Sequence, residues 1–325
     1  MASLQGAATR TLAQALLGYT VSMIELADFI ARHALWVLLA LVFVLLIATA
    51  LFSHLIHTYG DRVERFAVRL WNALRASSPF QAIKRVPIVG PLLTRTMTVV
   101  RYFGLYAVLG FIVALGAFSL FFEIADEIGI DESLAEFDGA LAAALSRHLS
   151  LETLRVFAAI TTLGDRDFLI VLASVVAAAL LWLRRWALAG AWIIATGGGG
   201  LLNLALKGLF ERPRPPHEHG LVTETSWSFP SGHASGSMLI YGLLGYLILR
   251  HTPRAWHIPV AVVTVALIVF VGSSRVLLQV HYFSDVLAGY ASAGAWVAVC
   301  IAGLEAVRWR EAKRIPGHIP GSKGA

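Results

Sequence analysis

An all-α membrane protein that crosses the bilayer several times is the fold class this sequence predicts, and three observations predict it. Only 14% of the 325 residues are charged and 58% are apolar, against about a quarter and about a half in soluble domains. Seven apolar runs, near 34–52, 104–122, 168–183, 186–206, 234–249, 256–273 and 283–303, approach the length a crossing helix needs. The net charge of +6 is concentrated in loops beside those runs. That placement is a membrane-topology pattern and argues against a nucleic-acid-binding face.

Taken in order, Leu12 to Ile30 carries Gln14, Glu25 and Asp28 among apolar residues, so an interfacial helix is expected there. The run at 34–52 is long for a signal peptide and no clear small-residue cleavage site follows, so it is expected to be retained. A basic stretch follows, with Arg62, Arg65, Arg69, Arg75, Lys84, Arg85, Arg95 and Arg101. Its first part sets Val63, Phe66, Ala67, Leu70, Trp71 and Leu74 at helical spacing, arginines opposite. That fits a helix lying on an anionic leaflet, with a solvated helix packed on its own protein as the alternative. Pro79, Pro87 and Pro91 break it into a linker. In the fourth run, Gly197-Gly198-Gly199-Gly200 suits close helix packing in a membrane. The single cysteine, Cys300, lies in an apolar run, which rules out an intramolecular disulfide or a cysteine-based metal site. The glycine-rich tail after Pro316 reads as disordered.

Orientation follows from the basic clusters. The 57–101 stretch, Arg184-Arg185, Arg250 with Arg254, and Arg308, Arg310, Lys313 and Arg314 are expected on the cytoplasmic side. The 123–167 loop, holding Glu123, Asp126, Glu127, Asp131, Glu132, Glu136 and Asp138, is expected outside. The same alternation puts 207–233 and 274–285 together on that outer side.

Polar groups at span ends are expensive and therefore functional candidates. Three sets meet on the outer side: Lys207 with Arg212-Pro213-Arg214-Pro215, then Pro230-Ser231-Gly232-His233, then Ser274-Arg275 with His281 and Asp285. Lys207, Arg214 and Arg275 would repel one another unless an anion with several oxygens joined them, and arginine forks suit phosphate. Ser231 reads as an N-cap, which would aim the Gly232 and His233 amides at the same anion. His281 and Asp285 are four apart and would share a helix face, giving a histidine nucleophile with a carboxylate to orient it. His233 could supply a proton to a leaving alkoxide. Each piece alone has a structural explanation: snorkelling cations, an interfacial histidine, a structural His–Asp pair. All three in this order on one side favour chemistry. His217, Glu218 and His219 form a weak metal signal, since no fourth ligand accompanies them.

These motifs closely resemble the type 2 phosphatidic acid phosphatase (PAP2) superfamily, which includes the vanadium haloperoxidases. Its signature is a lysine followed after six residues by Arg-Pro, then Pro-Ser-Gly-His, then Ser-Arg with His and Asp downstream. Here these are Lys207 with Arg214-Pro215, Pro230-Ser231-Gly232-His233, and Ser274-Arg275 with His281 and Asp285. The resemblance spans roughly 101–305, including an outer helix-like segment around Phe137–Leu163. It implies a six-helix core, to which this chain adds one N-terminal transmembrane helix. The expected layout is 1–100 for that helix and the basic linker, 101–305 for the phosphatase core, and 306–325 for a cytoplasmic tail.

The resemblance further implies a metal-independent reaction without a cofactor. His281 would attack phosphorus, Asp285 would hold its ring, and His233 would protonate the leaving group and then activate water. Lys207, Arg214, Ser231, Gly232 and Arg275 would hold the phosphoryl oxygens. Arg212-Pro213 duplicates the Arg-Pro pair one step early, and spacing favours Arg214 as the phosphate ligand. The substrate implied is a phospholipid or isoprenyl diphosphate in the bilayer of a cell membrane, met from the extracytoplasmic side. A lipid phosphotransferase using the same site, or a non-enzymatic lipid transporter or scramblase, is the alternative. A soluble haloperoxidase is disfavoured by the spans.

Overall fold

A computed structural model describes residues 23–78, 80, 110–129, 133–216 and 219–314, which are helical throughout apart from turns and short loops. The helices are α1 (23–32), α2 (Ala34–Ala76), α3 (110–126), α4 (Ser133–His148), α5 (Leu151–Thr161), α6 (Arg166–Trp182), α7 (Trp186–Phe210), α8 (Gly232–His251), α9 (His257–Leu277) and α10 (Phe283–Arg314). Single 3₁₀ turns lead into α6 (Thr162–Gly164) and α9 (Arg254–Trp256).

Five stretches among the described residues are long and apolar enough to cross a membrane: Ala34–Gly60, Trp186–Phe210, Gly232–His251, Arg254–Leu277 and Phe283–Glu305. Two further expected spans differ. At 17 residues α6 sits at the short end of the crossing range. The run expected at 104–122 is described only from 110, where it forms α3. Apolar side chains left on the outside, such as Trp182, Ile194 and Leu209, are what a lipid-facing bundle displays.

The expected division of the N-terminal region into a span and a separate surface helix is corrected. Residues Ala34–Ala76 form one 43-residue helix, about 65 Å long at the usual rise. Gly60 does not interrupt it, and it ends at Ala76. The linker positions Lys84, Arg85, Pro87, Pro91, Arg95 and Arg101, the segment before Met23 and the tail after Arg314 lie outside the described residues. What is described of the expected interfacial helix, α1, meets α2 at the single turn residue His33. Its Ala27 and Ala31 pack with Phe137, Leu141 and Ala144 of α4, and Asp28 bonds His148 at 3.0 Å.

Helix α8 is the centre of the bundle, packed along its length by α9 and α10. Ala34, Leu38 and Val42 at the start of α2 share a core with Leu277, Leu278 and Val280. Farther along α2, His57 stacks 5.0 Å from His257 at the start of α9, so α2 and α9 are antiparallel. The glycine run in α7 is half packing device. A Cβ on Gly198 would lie 2.5 Å from Trp296 and one on Gly199 2.6 Å from Leu239, while Gly197 and Gly200 face open space. The α4–α5 pair fills the expected outer segment, broken at Ser150, whose hydroxyl caps α5 by accepting from the Thr153 amide.

Candidate active site

The three motifs converge at one end of the bundle. Lys207 lies in the last turn of α7, Ser231 caps α8, Arg275 lies in the last turn of α9, and Asp285 lies in the first turn of α10. His281 is not on the same helix as Asp285, contrary to expectation. Helix α9 stops at Leu277, Gln279 takes a positive φ of 52°, and the chain turns before α10 begins at Phe283. Asp285 reaches back over that turn, accepting from the Tyr282 amide at 2.9 Å and lying 3.3 Å from His281 Nδ1. The pair forms because the carboxylate caps the turn that carries the histidine.

Asp285 is fully buried and surrounded by donors. The Ser228 hydroxyl and the Tyr282 amide serve Oδ2, and Arg212 Nη1 serves Oδ1 at 2.6 Å. With Nδ1–H directed at Asp285, His281 presents Nε2 as a lone pair. Arg214 Nη1 donates to that nitrogen at 3.1 Å. Burial pushes the His281 imidazole down to about 3, more than Asp285 can offset. Near neutral pH the ring is therefore uncharged, as a nitrogen nucleophile must be.

The two arginines of the duplicated Arg-Pro pair have different partners. Arg212 faces inward, bonding Asp285, Ser284 at 2.8 Å and Asp138 at 3.0 Å, and stacks 4.3 Å over the Tyr282 ring. Arg214 faces the nucleophile and also donates to the Ser226 and Val280 carbonyls, each at 2.7 Å. Arg214, the arginine that spacing favoured, is thus the one beside His281. Asp138 was read only as part of an acidic outer loop. It is buried, and it accepts from the Ser284 amide at 3.1 Å and from the Ser284 hydroxyl.

Arg275 is fully buried. Nη1 donates to Thr161 Oγ1 at 2.9 Å, Nη2 pairs with Glu224, and Nε is, among the described residues, the one buried side-chain nitrogen or oxygen without a partner. An orphaned guanidinium N–H in this position fits an oxyanion acceptor. Glu224 also lies 3.5 Å from Arg214, so it bridges two of the three cations among the expected phosphate ligands. Burial pushes its carboxyl up, but Arg275 and Arg214 outweigh that and hold it below its ordinary value. Sequence reading missed Glu224, because nothing in Val222-Thr223-Glu224-Thr225 carries a spacing signal.

Lys207 is buried and donates to the Trp227 and Ser228 carbonyls, beside the loop that leads into the α8 cap. Ser231 Oγ accepts from the Ala234 amide at 3.4 Å. That leaves the Gly232 and His233 amides at the helix start with no acceptor among the described residues, where a helix dipole favours an anion. A Cβ on Gly232 would lie 3.8 Å from Lys207 Cε. His233 bonds Asp165 at 2.9 Å. Of the weak metal set, His219 bonds the Leu278 carbonyl at 2.7 Å and the Leu221 amide, while His217 and Glu218 lie outside the described residues. No group of three His, Cys, Asp or Glu placed for a metal ion occurs among the described residues.

A neutral buried imidazole backed by a carboxylate, with arginine forks and free helix-start amides around it, is equipped for phosphoryl transfer, and here it sits at the end of a membrane bundle. This is a membrane phosphatase. The PAP2 superfamily model matches residues 186–309. Phosphatidylglycerophosphatase B of Bacillus subtilis is 36% identical over 137 residues, covering 42% of this chain and 67% of that one. Decaprenylphosphoryl-5-phosphoribose phosphatase of Mycobacterium tuberculosis is 36% identical over 134 residues, covering 40% and 67%. The crystal structure of a transmembrane PAP2-type phosphatidylglycerolphosphate phosphatase from Bacillus subtilis superposes with a TM-score of 0.53 at 29% identity, over 62% of this chain and 98% of that one. The chain belongs to the PAP2 superfamily.

Proposed function

We propose that this protein hydrolyses a lipid phosphomonoester or diphosphate in two displacements through a phosphohistidine on His281. The observation that carries the reading is the Nε2 lone pair of His281, backed by Asp285 and facing the Arg214 fork. Arg214, Arg275, Lys207, Ser231 as helix cap and the Gly232 amide hold the phosphoryl oxygens, with each transition-state donor worth on the order of 3 kcal/mol. His233 protonates the departing oxygen and then activates water. The relatives act on phosphatidylglycerophosphate, a decaprenyl-linked phosphoribose and, in Rhizobium etli, the 1-phosphate of lipid A, as their names state. A lipid phosphate is the substrate class common to them.

The site faces the extracytoplasmic side of a cell membrane in this reading. Arg184 and Arg185 lie at the junction of α6 and α7, and Arg250 and Arg254 at that of α8 and α9, all at the end of the bundle away from His281. The positive-inside bias puts that end in the cytoplasm.

The experiment is phosphate release by the purified protein and a His281→Ala variant in detergent with EDTA. The panel is phosphatidic acid, phosphatidylglycerophosphate, undecaprenyl diphosphate and lipid A. Release by the wild type alone supports the histidine mechanism without a metal, and the preferred lipid names the substrate. Activity surviving in His281→Ala would refute the nucleophile assignment.

A further inference from the structure

The turn between α5 and α6 takes no part in the chemistry described so far, yet it is fastened to the site residue by residue. Thr161 Oγ1 accepts from Arg275 at 2.9 Å. The Leu163 carbonyl accepts from the Tyr241 hydroxyl at 2.6 Å. Gly164 is packed so tightly that a Cβ there would lie 2.4 Å from Val271 and 2.9 Å from the His233 ring. Asp165 then sets Oδ1 2.9 Å from His233 Nε2.

Asp165 occupies the N-cap position of α6, where an aspartate ordinarily accepts from amides of the first helical turn. It makes no such bond. Its carboxylate is turned to the histidine instead. Local helix chemistry would hold this side chain elsewhere, so its position reflects the tertiary contact.

We propose that Asp165 is the positioning residue for His233, accepting the Nε2 proton and thereby leaving Nδ1 as the working nitrogen. This rests on the role given to His233 above. In the first displacement the bond from phosphorus to the lipid oxygen breaks as His281 Nε2 bonds phosphorus, and the Nδ1 proton of His233 goes to the departing oxygen. In the second, Nδ1 takes a proton from water as the water oxygen bonds phosphorus and the phosphorus–nitrogen bond breaks. The site thus has one carboxylate per histidine, in different surroundings. The side chains of His281 and Asp285 are 1% and 0% exposed, while those of His233 and Asp165 are 14% and 50% exposed. A nucleophile needs isolation from water, whereas an acid that is refilled every turnover needs contact with it. Arg275, Glu224, Arg214 and Lys207 are the other charged groups acting on His233.

The test uses leaving groups. Asp165→Asn, Asp165→Glu and His233→Ala proteins are assayed on dodecyl phosphate, whose alkoxide needs a proton, and on 4-nitrophenyl phosphate, whose phenolate does not. In kcat/KM, which reports only the steps up to departure of the leaving group, Asp165→Asn should lose roughly 10²-fold on dodecyl phosphate and far less on 4-nitrophenyl phosphate. Its kcat, which includes the water step, should fall on both. Asp165→Glu should recover part of the loss, and His233→Ala should show the same split. The ratio of the two activities within one preparation does not depend on how much of it is folded, so misfolding cannot imitate the result. An unchanged ratio in Asp165→Asn, with His233→Ala still discriminating, overturns the role of Asp165 alone. If His233→Ala does not discriminate, the acid assignment itself fails and the role of Asp165 falls with it.

Discussion

Arg214 and His281 are joined by a 3.1 Å hydrogen bond from Nη1 to Nε2, on the lone pair that would attack phosphorus. In the proposed reaction the guanidinium has to be drawn off that nitrogen before attack, and a phosphoryl oxygen is a group able to do so. Substrate binding and nucleophile release would then be one event, mediated by one arginine.

The two arginines of the Arg-Pro repeat should fail differently. Arg214→Lys keeps the charge but loses the fork, and should fold normally while kcat/KM falls about 10²–10³-fold. Arg212→Ala leaves Asp138 and Asp285 buried without their cation, which costs about 3–5 kcal/mol of stability. Thermal unfolding in detergent alongside turnover separates the two, and an Arg212→Ala protein as stable as wild type would contradict this division.

Glu224 pairs with both Arg214 and Arg275, so under the proposed function it would compete with phosphate for them. Glu224→Gln should bind the product, inorganic phosphate, roughly tenfold more tightly, the size of one lost contact to a charged group. Product inhibition measures this. Weaker inhibition would mean instead that Glu224 is needed to hold the two forks apart in the right geometry.

Acid should destabilise the protein through His281. Its folded value, about 3, lies below its ordinary value of 6.5. The unfolded chain therefore binds the extra proton, and this contribution to stability is complete above pH 6.5 and is lost as pH falls toward 3. His281→Asn should flatten that part of the curve of unfolding midpoint against pH. An unchanged slope would show that other buried groups carry it.

The glycine run in α7 offers a paired control. Gly198→Ala meets Trp296 and should cost about 1–3 kcal/mol. Gly197→Ala meets nothing and should be neutral or slightly stabilising, since alanine favours a helix. Unfolding midpoints of the two variants would show whether Gly198 sits at a close helix contact.

By itself the sequence determined the class of fold, because apolar length and charge alternation are local quantities that a chain displays whatever it packs against. It likewise proposed His281, Asp285, His233, Lys207, Arg214, Arg275, Ser231 and Gly232 as one site, and the structure brings them to one end of the bundle. Tertiary structure alone decided how they connect. Asp138, Asp165 and Glu224 come from three separate segments, and each joins the site only in the fold: buried Asp138 and part-buried Glu224 meet the cations that buried charge demands, and half-exposed Asp165 meets a histidine. The same demand placed Asp285 over a turn instead of along a helix, and divided Arg212 from Arg214. Spacing along a chain reports which groups can meet, while the need to satisfy buried charge decides which of them do.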